Sequence, residues 1–174
     1  DLIALIRKGG IRESRPYFQV PSDRALLFPT YEHQQAIALK SPYREQLVCR
    51  PVPTVDEPIL LQGWAQITHQ IPILEVHSAA IALQPFHIWT DSWFNERLAW
   101  KPERPAYVLL LRAYRFTGPM ALPYRKQYGG CRSWIELANV TALPSSRPVQ
   151  SEADYEQQVN QISEALATTV NGLT

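Results

Sequence analysis

Three stretches of this sequence hold polar groups that ordinary packing explains only in part: Arg7 to Glu13, Pro29 to Gln34 and Arg112 to Trp134. The first reads Arg7-Lys8-Gly9-Gly10-Ile11-Arg12-Glu13. Two adjacent glycines let the backbone approach a bound group and turn successive N–H donors toward an anion, and Lys8 and Arg12 add positive charge. The pattern is a candidate cradle for phosphate or carboxylate. It lacks the spacing of a phosphate loop, G-x-x-x-x-G-K-S/T, and of the dinucleotide fingerprint, G-x-G-x-x-G. A tight hairpin turn with solvated charges accounts for the same residues.

The second stretch, Phe28-Pro29-Thr30-Tyr31-Glu32-His33-Gln34, is dense in hydrogen-bonding groups at an expected strand-to-helix junction, where a helix N-terminus favours anions. Histidine is the side chain suited to proton transfer near neutral pH, which makes His33 a candidate general acid or base, with Gln34 as an orienting amide. In the plainer alternative Thr30 only caps the helix and His33 satisfies a backbone carbonyl.

In the third stretch, Arg112-Ala113-Tyr114-Arg115 should lie on a strand, with Arg112 and Tyr114 on one face and Arg115 on the other. Arg112 follows Leu109-Leu110-Leu111, so its burial demands an anionic partner, for which Glu13 is the candidate. Farther along, Tyr124, Arg125, Lys126, Tyr128 and Arg132 interleave basic and aromatic side chains, a composition suited to neutralising phosphate and stacking on bases. A solvated basic loop, with Tyr128 and Trp134 in the core, fits the same residues.

Metal and thiol chemistry find little support. Cys49 and Cys131 form no C-x-x-C pair, and His69, His77 and His87 lack metal-ligand spacing. Cys131 has no visible activating base and reads as a buried structural thiol. No metal site and no cofactor are expected.

The elements that must position these groups can be read from periodicity and punctuation. Leu2 to Arg7 reads as a buried strand ending at Gly9-Gly10. Tyr17 to Val20 and Ala25 to Phe28 are short strands around a Pro21-Ser22-Asp23-Arg24 turn. From Thr30 a helix of two or three turns is expected, closing at Ser41-Pro42, and Arg50 to Pro58, with three prolines, is an extended connector. Ile59 to Thr68 and Tyr107 to Phe116 are central strands. Val76 to Trp100 reads as one helix and one strand, and Ser133 to Val140 as a further strand. Ser151 and Asp154 open an amphipathic helix whose apolar stripe is Val159, Ile162, Leu166 and Val170, stopped by Asn171-Gly172.

These elements predict a single α+β domain: a mixed or mainly antiparallel sheet over residues 1–150, with a C-terminal amphipathic helix over 151–174 packed on or beside it. At 174 residues, 45% hydrophobic and 19% charged, the chain matches an ordinary globular domain and excludes the disordered class. No apolar run suits a membrane span, and sparse cysteine suggests a reducing, cytoplasmic setting. The start at Asp1 without a Met or signal pattern suggests further residues upstream. The net charge of +1 conceals an asymmetry: residues 97–132 hold eight basic side chains against Glu103, a balance of +7, whereas 133–174 hold Arg147 against five acids, a balance of −4. The acidic terminal helix, packed against the basic region, would neutralise charge that otherwise attracts an anion.

Leu5-Ile6-Arg7-Lys8-Gly9-Gly10-Ile11, then Leu27 to Gln34, then Tyr128-Gly129-Gly130-Cys131-Arg132-Ser133-Trp134, resemble in order and spelling the bacterial, notably cyanobacterial, family called domain of unknown function 1802. The resemblance runs to about Leu137 and implies no catalytic or binding residue. Members usually carry another strand or helix before the first motif, where an acidic site residue could lie. The leading expectation from the residues is a polar cleft formed by Lys8, Arg12, Glu13, His33, Gln34, Arg112, Tyr114 and Arg132 that recognises an anionic ligand, a phosphate-bearing nucleotide or nucleic acid. A non-catalytic module docking a protein partner through the exposed part of Trp89 to Trp100 and the basic stretch is the alternative. A nuclease-like enzyme is the weakest reading, because no paired carboxylates are visible.

Overall fold

The most apolar run of the sequence forms the centre of the sheet, in a computed structural model that describes residues 2–7, 20, 22–29, 31, 34–54, 57–100, 102–129, 134–137, 140 and 142–171. Strand β4 (Ala106–Leu122) pairs antiparallel with β1 (Leu2–Arg7), β3 (Ile59–Ile73) and β5 (Ser146–Pro148); β2 (Arg24–Leu26) extends the sheet beyond β3. The path is β1-β4-β3-β2, with β5 on the far end of β4. Val108 to Leu111 are each at most 3% exposed, because this central strand is covered on both faces. That double cover explains an unbroken apolar run where a half-solvated strand would alternate.

One face of the sheet carries helices α2 (Val76–Ala82), α3 (Asp91–Ala99) and α4 (Glu152–Asn171). Ala106, Val108 and Leu110 meet Ala79, Leu83, Phe94 and Leu98 there, and α4 contributes Tyr155, Val159, Ile162 and Leu166. Spacings of four, three and four place these α4 residues in one stripe, so the helix is fixed by burial of an apolar face. Its first turn is closed by Ser151, whose hydroxyl accepts from the Asp154 N–H at 3.2 Å and donates to the Asp154 carboxylate at 2.6 Å. On the opposite face Leu109, Leu111 and Ala65 pack with Ile3, Ile67, Tyr107 and Val20. A third cluster, Ile59, Leu61, Phe116, Leu122 and Tyr128, fills the distal end of the β3–β4 pair.

Two irregularities shape β3. The register slips between Leu61 and Gly63, and there a Cβ on Gly63 would lie 2.1 Å from the Tyr114 carbonyl oxygen, so only glycine permits this approach. A second slip between Ile67 and His69 frees Thr68 from the ladder, and its hydroxyl donates to the Leu110 carbonyl at 3.2 Å.

The chain is a single α+β domain with an antiparallel sheet and a C-terminal amphipathic helix, as the sequence predicts. Several local expectations need correction. β1 is an edge strand of half-buried residues, and Leu5 is 39% exposed. Among the described residues no helix of two or three turns precedes Ser41: a single 3-10 turn at Ala36–Ala38 leads to Leu39, which bridges to Trp89, and Ser41-Pro42 starts the one-turn α1 (Ser41–Arg44) where it was expected to end a helix. Val76 to Trp100 holds two α-helices joined through a 3-10 turn at Gln84–Phe86, with no strand. The described residues of 133–140 form no strand, while β5 arises from a polar segment that gave no strand signal. The Gly9-Gly10 turn, the Thr30 cap and all of the Tyr17 to Val20 strand except Val20 lie outside the described residues.

Candidate functional site

The face of the sheet opposite the helices opens into a groove of about 910 Å³. Its floor includes Leu5 and Leu111, paired strands' residues whose side chains point away from α4 because their neighbours Ala4, Ile6, Leu110 and Arg112 point toward it. Arg7, at the end of β1, lies at one side. Pro29 and Tyr31 come from the chain after β2, and Gly129 and Trp134 from the segment after β4. Thus the described ends of all three polar stretches meet around one cavity. Phe28, Tyr31, Tyr124, Tyr128 and Trp134 make its walls strongly aromatic, and among the described residues of the lining Arg7 and Arg24 are joined by one acid, Glu136.

The walls are held by specific contacts. Phe28 meets Tyr128 edge to face, centroids 5.9 Å apart. The Gln34 amide donates to the Tyr31 carbonyl at 3.0 Å and to the Arg50 carbonyl at 2.8 Å, while its oxygen accepts from the Arg50 N–H at 2.8 Å. Gln34 therefore ties the segment carrying Tyr31 to the proline-rich connector. Burial pushes the Tyr31 phenol up from its ordinary value, against the opposing pull of Arg50, so the hydroxyl stays neutral and able to donate. The Trp134 indole N–H is shielded from solvent and has no hydrogen-bond partner among the described residues.

Arg112 and Tyr114 belong to the other face. They share a side of β4, as expected, but the Arg112 guanidinium pairs with Glu152 at the start of α4 and lies 5.7 Å and 5.5 Å from the ring centres of Tyr114 and Tyr155. The carboxylate found on Arg112 is thus Glu152; Glu13 lies outside the described residues. The Tyr155 hydroxyl meets Thr68, whose hydroxyl is also 2.9 Å from His69 Nδ1, and burial raises the Tyr155 phenol above its ordinary value. Tyr114 stacks on Trp64 at 4.1 Å with the rings nearly parallel, and the Trp64 N–H donates to the Ser146 hydroxyl at 3.0 Å. This arrangement is a polar clamp between sheet and terminal helix.

Of the eight residues singled out in the sequence, Lys8, Arg12, Glu13, His33 and Arg132 lie outside the described residues. Among the remaining three, Gln34 positions a groove wall, while Arg112 and Tyr114 face α4. The groove also takes in Arg24, Tyr31 and Tyr124. Arg24 reads in the sequence as a turn residue only, Tyr31 stands in the second polar stretch without a role of its own, and Tyr124 belongs to the run of interleaved basic and aromatic residues. Among the described residues, no group of three or more His, Cys, Asp or Glu is arranged to hold a metal ion. Cys49 is exposed, with its thiol 3.6 Å from the Gln34 carbonyl, and no helix among the described residues is long and apolar enough to cross a membrane.

No curated protein and no solved structure matches the chain. A family model does, and it covers the motifs whose described ends ring the groove: the one described as Domain of unknown function (DUF1802) matches residues 1–161 of the 174, and the chain belongs to that family.

Proposed function

We propose that the groove recognises a phosphate-bearing nucleotide, either free or within a nucleic-acid strand. The observation that carries this reading is the convergence of Arg7, Tyr31, Gly129 and Trp134, the described ends of three separate polar stretches, on one aromatic-walled cavity. Aromatic faces stack on bases with a contribution of roughly 1–3 kcal/mol per base, and arginine forks complement phosphate oxygens. The cavity volume of about 910 Å³ suits a ligand of nucleotide size or larger. The chemistry is one of binding; no bond-breaking step is assigned.

A thermal-denaturation screen of the full chain against mononucleotides, oligonucleotides, phosphosugars and divalent ions tests the reading. A nucleotide at about 100 times its Kd should add about 2.7 kcal/mol, a rise of roughly 5–10 °C for a chain of this length. Phosphosugars, which lack the aromatic base, should give a smaller rise. Oligonucleotides outperforming mononucleotides per site would identify a strand as the natural ligand. A flat response to every nucleotide contradicts the proposal.

A second reading, docking of a protein partner, draws on the tryptophans of α3 and its approach. Trp89 and Trp93 stack at 4.0 Å and are only half-buried, and Trp100 is 38% exposed beneath Arg97. A surface of this kind is what interface anchors require. It becomes the better account if the nucleotide screen is flat.

A further inference from the structure

Strand β5 is held without burial. Ser146, Arg147 and Pro148 are all exposed, and the strand stays in place through its ladder to Tyr114, Arg115 and Phe116 and through the bond that the Ser146 hydroxyl accepts from the Trp64 N–H at 3.0 Å. Bonds from the Thr117 N–H to the Ser145 carbonyl at 2.9 Å and from the Val149 N–H to the Ala113 carbonyl at 3.0 Å carry the pairing past both ends.

Within this ladder Arg147 lies directly opposite Arg115. Opposed residues of an antiparallel pair project from one face with Cβ atoms about 5 Å apart, and like charges so placed are destabilising. Both arginines are exposed, and among the described residues no carboxylate pairs with either. The acids that follow β5 most closely in the chain are engaged elsewhere: Glu152 pairs with Arg112, and Asp154 accepts from the Ser151 hydroxyl. On the other side of Arg115 stands Gly63, with no side chain to crowd the guanidinium. Pleat alternation puts Thr117 and Ser145 next to the pair on the same face, where they add two hydroxyl donors. Two planar forks flanked by hydroxyls match the oxygens of a phosphate.

The same alternation places Arg115 on the face of β4 that carries Ala113 and Leu111, the latter on the floor of the groove. Leu111 and Arg115 are four positions apart, about 13 Å along an extended strand. Neither arginine is among the described residues that line the groove.

Resting on the nucleotide reading above, we infer that Arg115 and Arg147 grip a backbone phosphate of a strand whose base sits in the groove, so that the ligand is a single-stranded nucleic acid leaving the groove along β4. A mononucleotide seated in the groove does not span the interval, whereas a short strand does. Phosphate between the two guanidinium groups offsets the like-charge opposition that weakens β5.

Titration of the full chain with a nucleoside monophosphate and with an oligonucleotide of about eight residues, a length within the span of single-strand sites, tests this on the wild type, Arg147→Gln and Arg147→Glu. The wild type should bind the oligonucleotide at least about tenfold tighter than the monophosphate at low salt, with the margin shrinking as salt rises. Arg147→Gln should weaken the oligonucleotide at least about fivefold and flatten its slope of log affinity against log salt by about 0.7, the single-strand value for one phosphate. Its monophosphate affinity should stay within about twofold, because the groove is untouched. Arg147→Glu, which sets a carboxylate opposite Arg115, should weaken the oligonucleotide further while the denaturation midpoint stays level or rises. Equal affinities for the two ligands in the wild type, unchanged oligonucleotide binding in either variant, an equal loss for both ligands, or a midpoint that falls together with affinity would overturn the inference and leave the groove reading standing. Failure of every nucleotide to bind overturns that reading, and this inference with it.

Discussion

The two faces of the sheet use the same kinds of side chain to opposite ends. On the helix face the cation Arg112 meets the carboxylate Glu152, Tyr155 meets Thr68, and Trp64 spends its N–H on Ser146. Much of the charge and hydrogen-bonding capacity is taken up internally there, although Arg112 Nε and His87 Nδ1 are buried without a partner among the described residues, and the surrounding residues Val108, Leu110 and Ile162 are at most 1% exposed. On the groove face the Trp134 N–H has no partner among the described residues, and Leu5 stays 39% exposed on the floor. Arginine next to aromatics is therefore no mark of a site by itself. What distinguishes the site is the cavity that its basic and aromatic groups line, and local sequence does not report which groups meet around a cavity.

The contrast predicts where substitutions will hurt. Ile162→Ala, at a position 1% exposed between α4 and the sheet, should cost about 2–5 kcal/mol in chemical denaturation by leaving a cavity. A cost below about 1 kcal/mol would mean that α4 does not hold the helix face together.

Acid should also strike the helix face first. His87 stacks on the core residue Phe94 at 3.8 Å, and burial, aided by Lys40, lowers its pKa to about 4 from 6.5. The unfolded chain takes up that proton near pH 6.5 while the folded ring resists to about pH 4, so the contribution is complete above pH 6.5 and lost as pH falls toward 4. Solvent screening of a half-buried ring limits the loss to about 1–2 kcal/mol. Denaturation midpoints between pH 7 and pH 4 should decline with this profile in the wild type and more weakly in His87→Gln; parallel declines would remove His87 from the account.

The smallest effect is expected on the groove face. Trp134→Phe keeps a ring against the cavity and removes a buried donor that has no partner, so stability should stay within about 1 kcal/mol of the wild type or rise. Destabilisation by about 3 kcal/mol or more would indicate that the indole is structural, and would blur the division between the faces.

The fold was legible in the sequence where burial leaves a periodic trace. The apolar run through Leu109 to Leu111 marked a central strand, and Val159, Ile162 and Leu166 marked a helix with one buried stripe. Val76 to Trp100 was misread because α3 fully buries only Phe94 and Leu98, too few to set a period against several tryptophans. Residues 134–137 carry strand formers such as Ile135, yet they line the groove and pack on the distal cluster instead of joining the ladder. β5 was invisible because Ser146, Arg147 and Pro148 are all exposed, and only pairing with Tyr114 to Phe116 makes them a strand.

The site was legible as segments but not as a site. Arg7, Tyr31 and Trp134 are far apart in the chain and meet because β1 and β4 pair while the chain after β2 folds over the same face. Arg112 misled because its neighbour pattern shows only that it needs an anion. Whether that anion is a ligand or Glu152 depends on a helix forty residues away.

Hydrogen–deuterium exchange with and without saturating dinucleotide tests the division of the two faces most directly. The account predicts slowed exchange in peptides covering residues 24–31 and 124–137, with the α4 peptides unchanged. Protection confined to α4 and the Arg112 strand, with the groove segments unaffected, would contradict it.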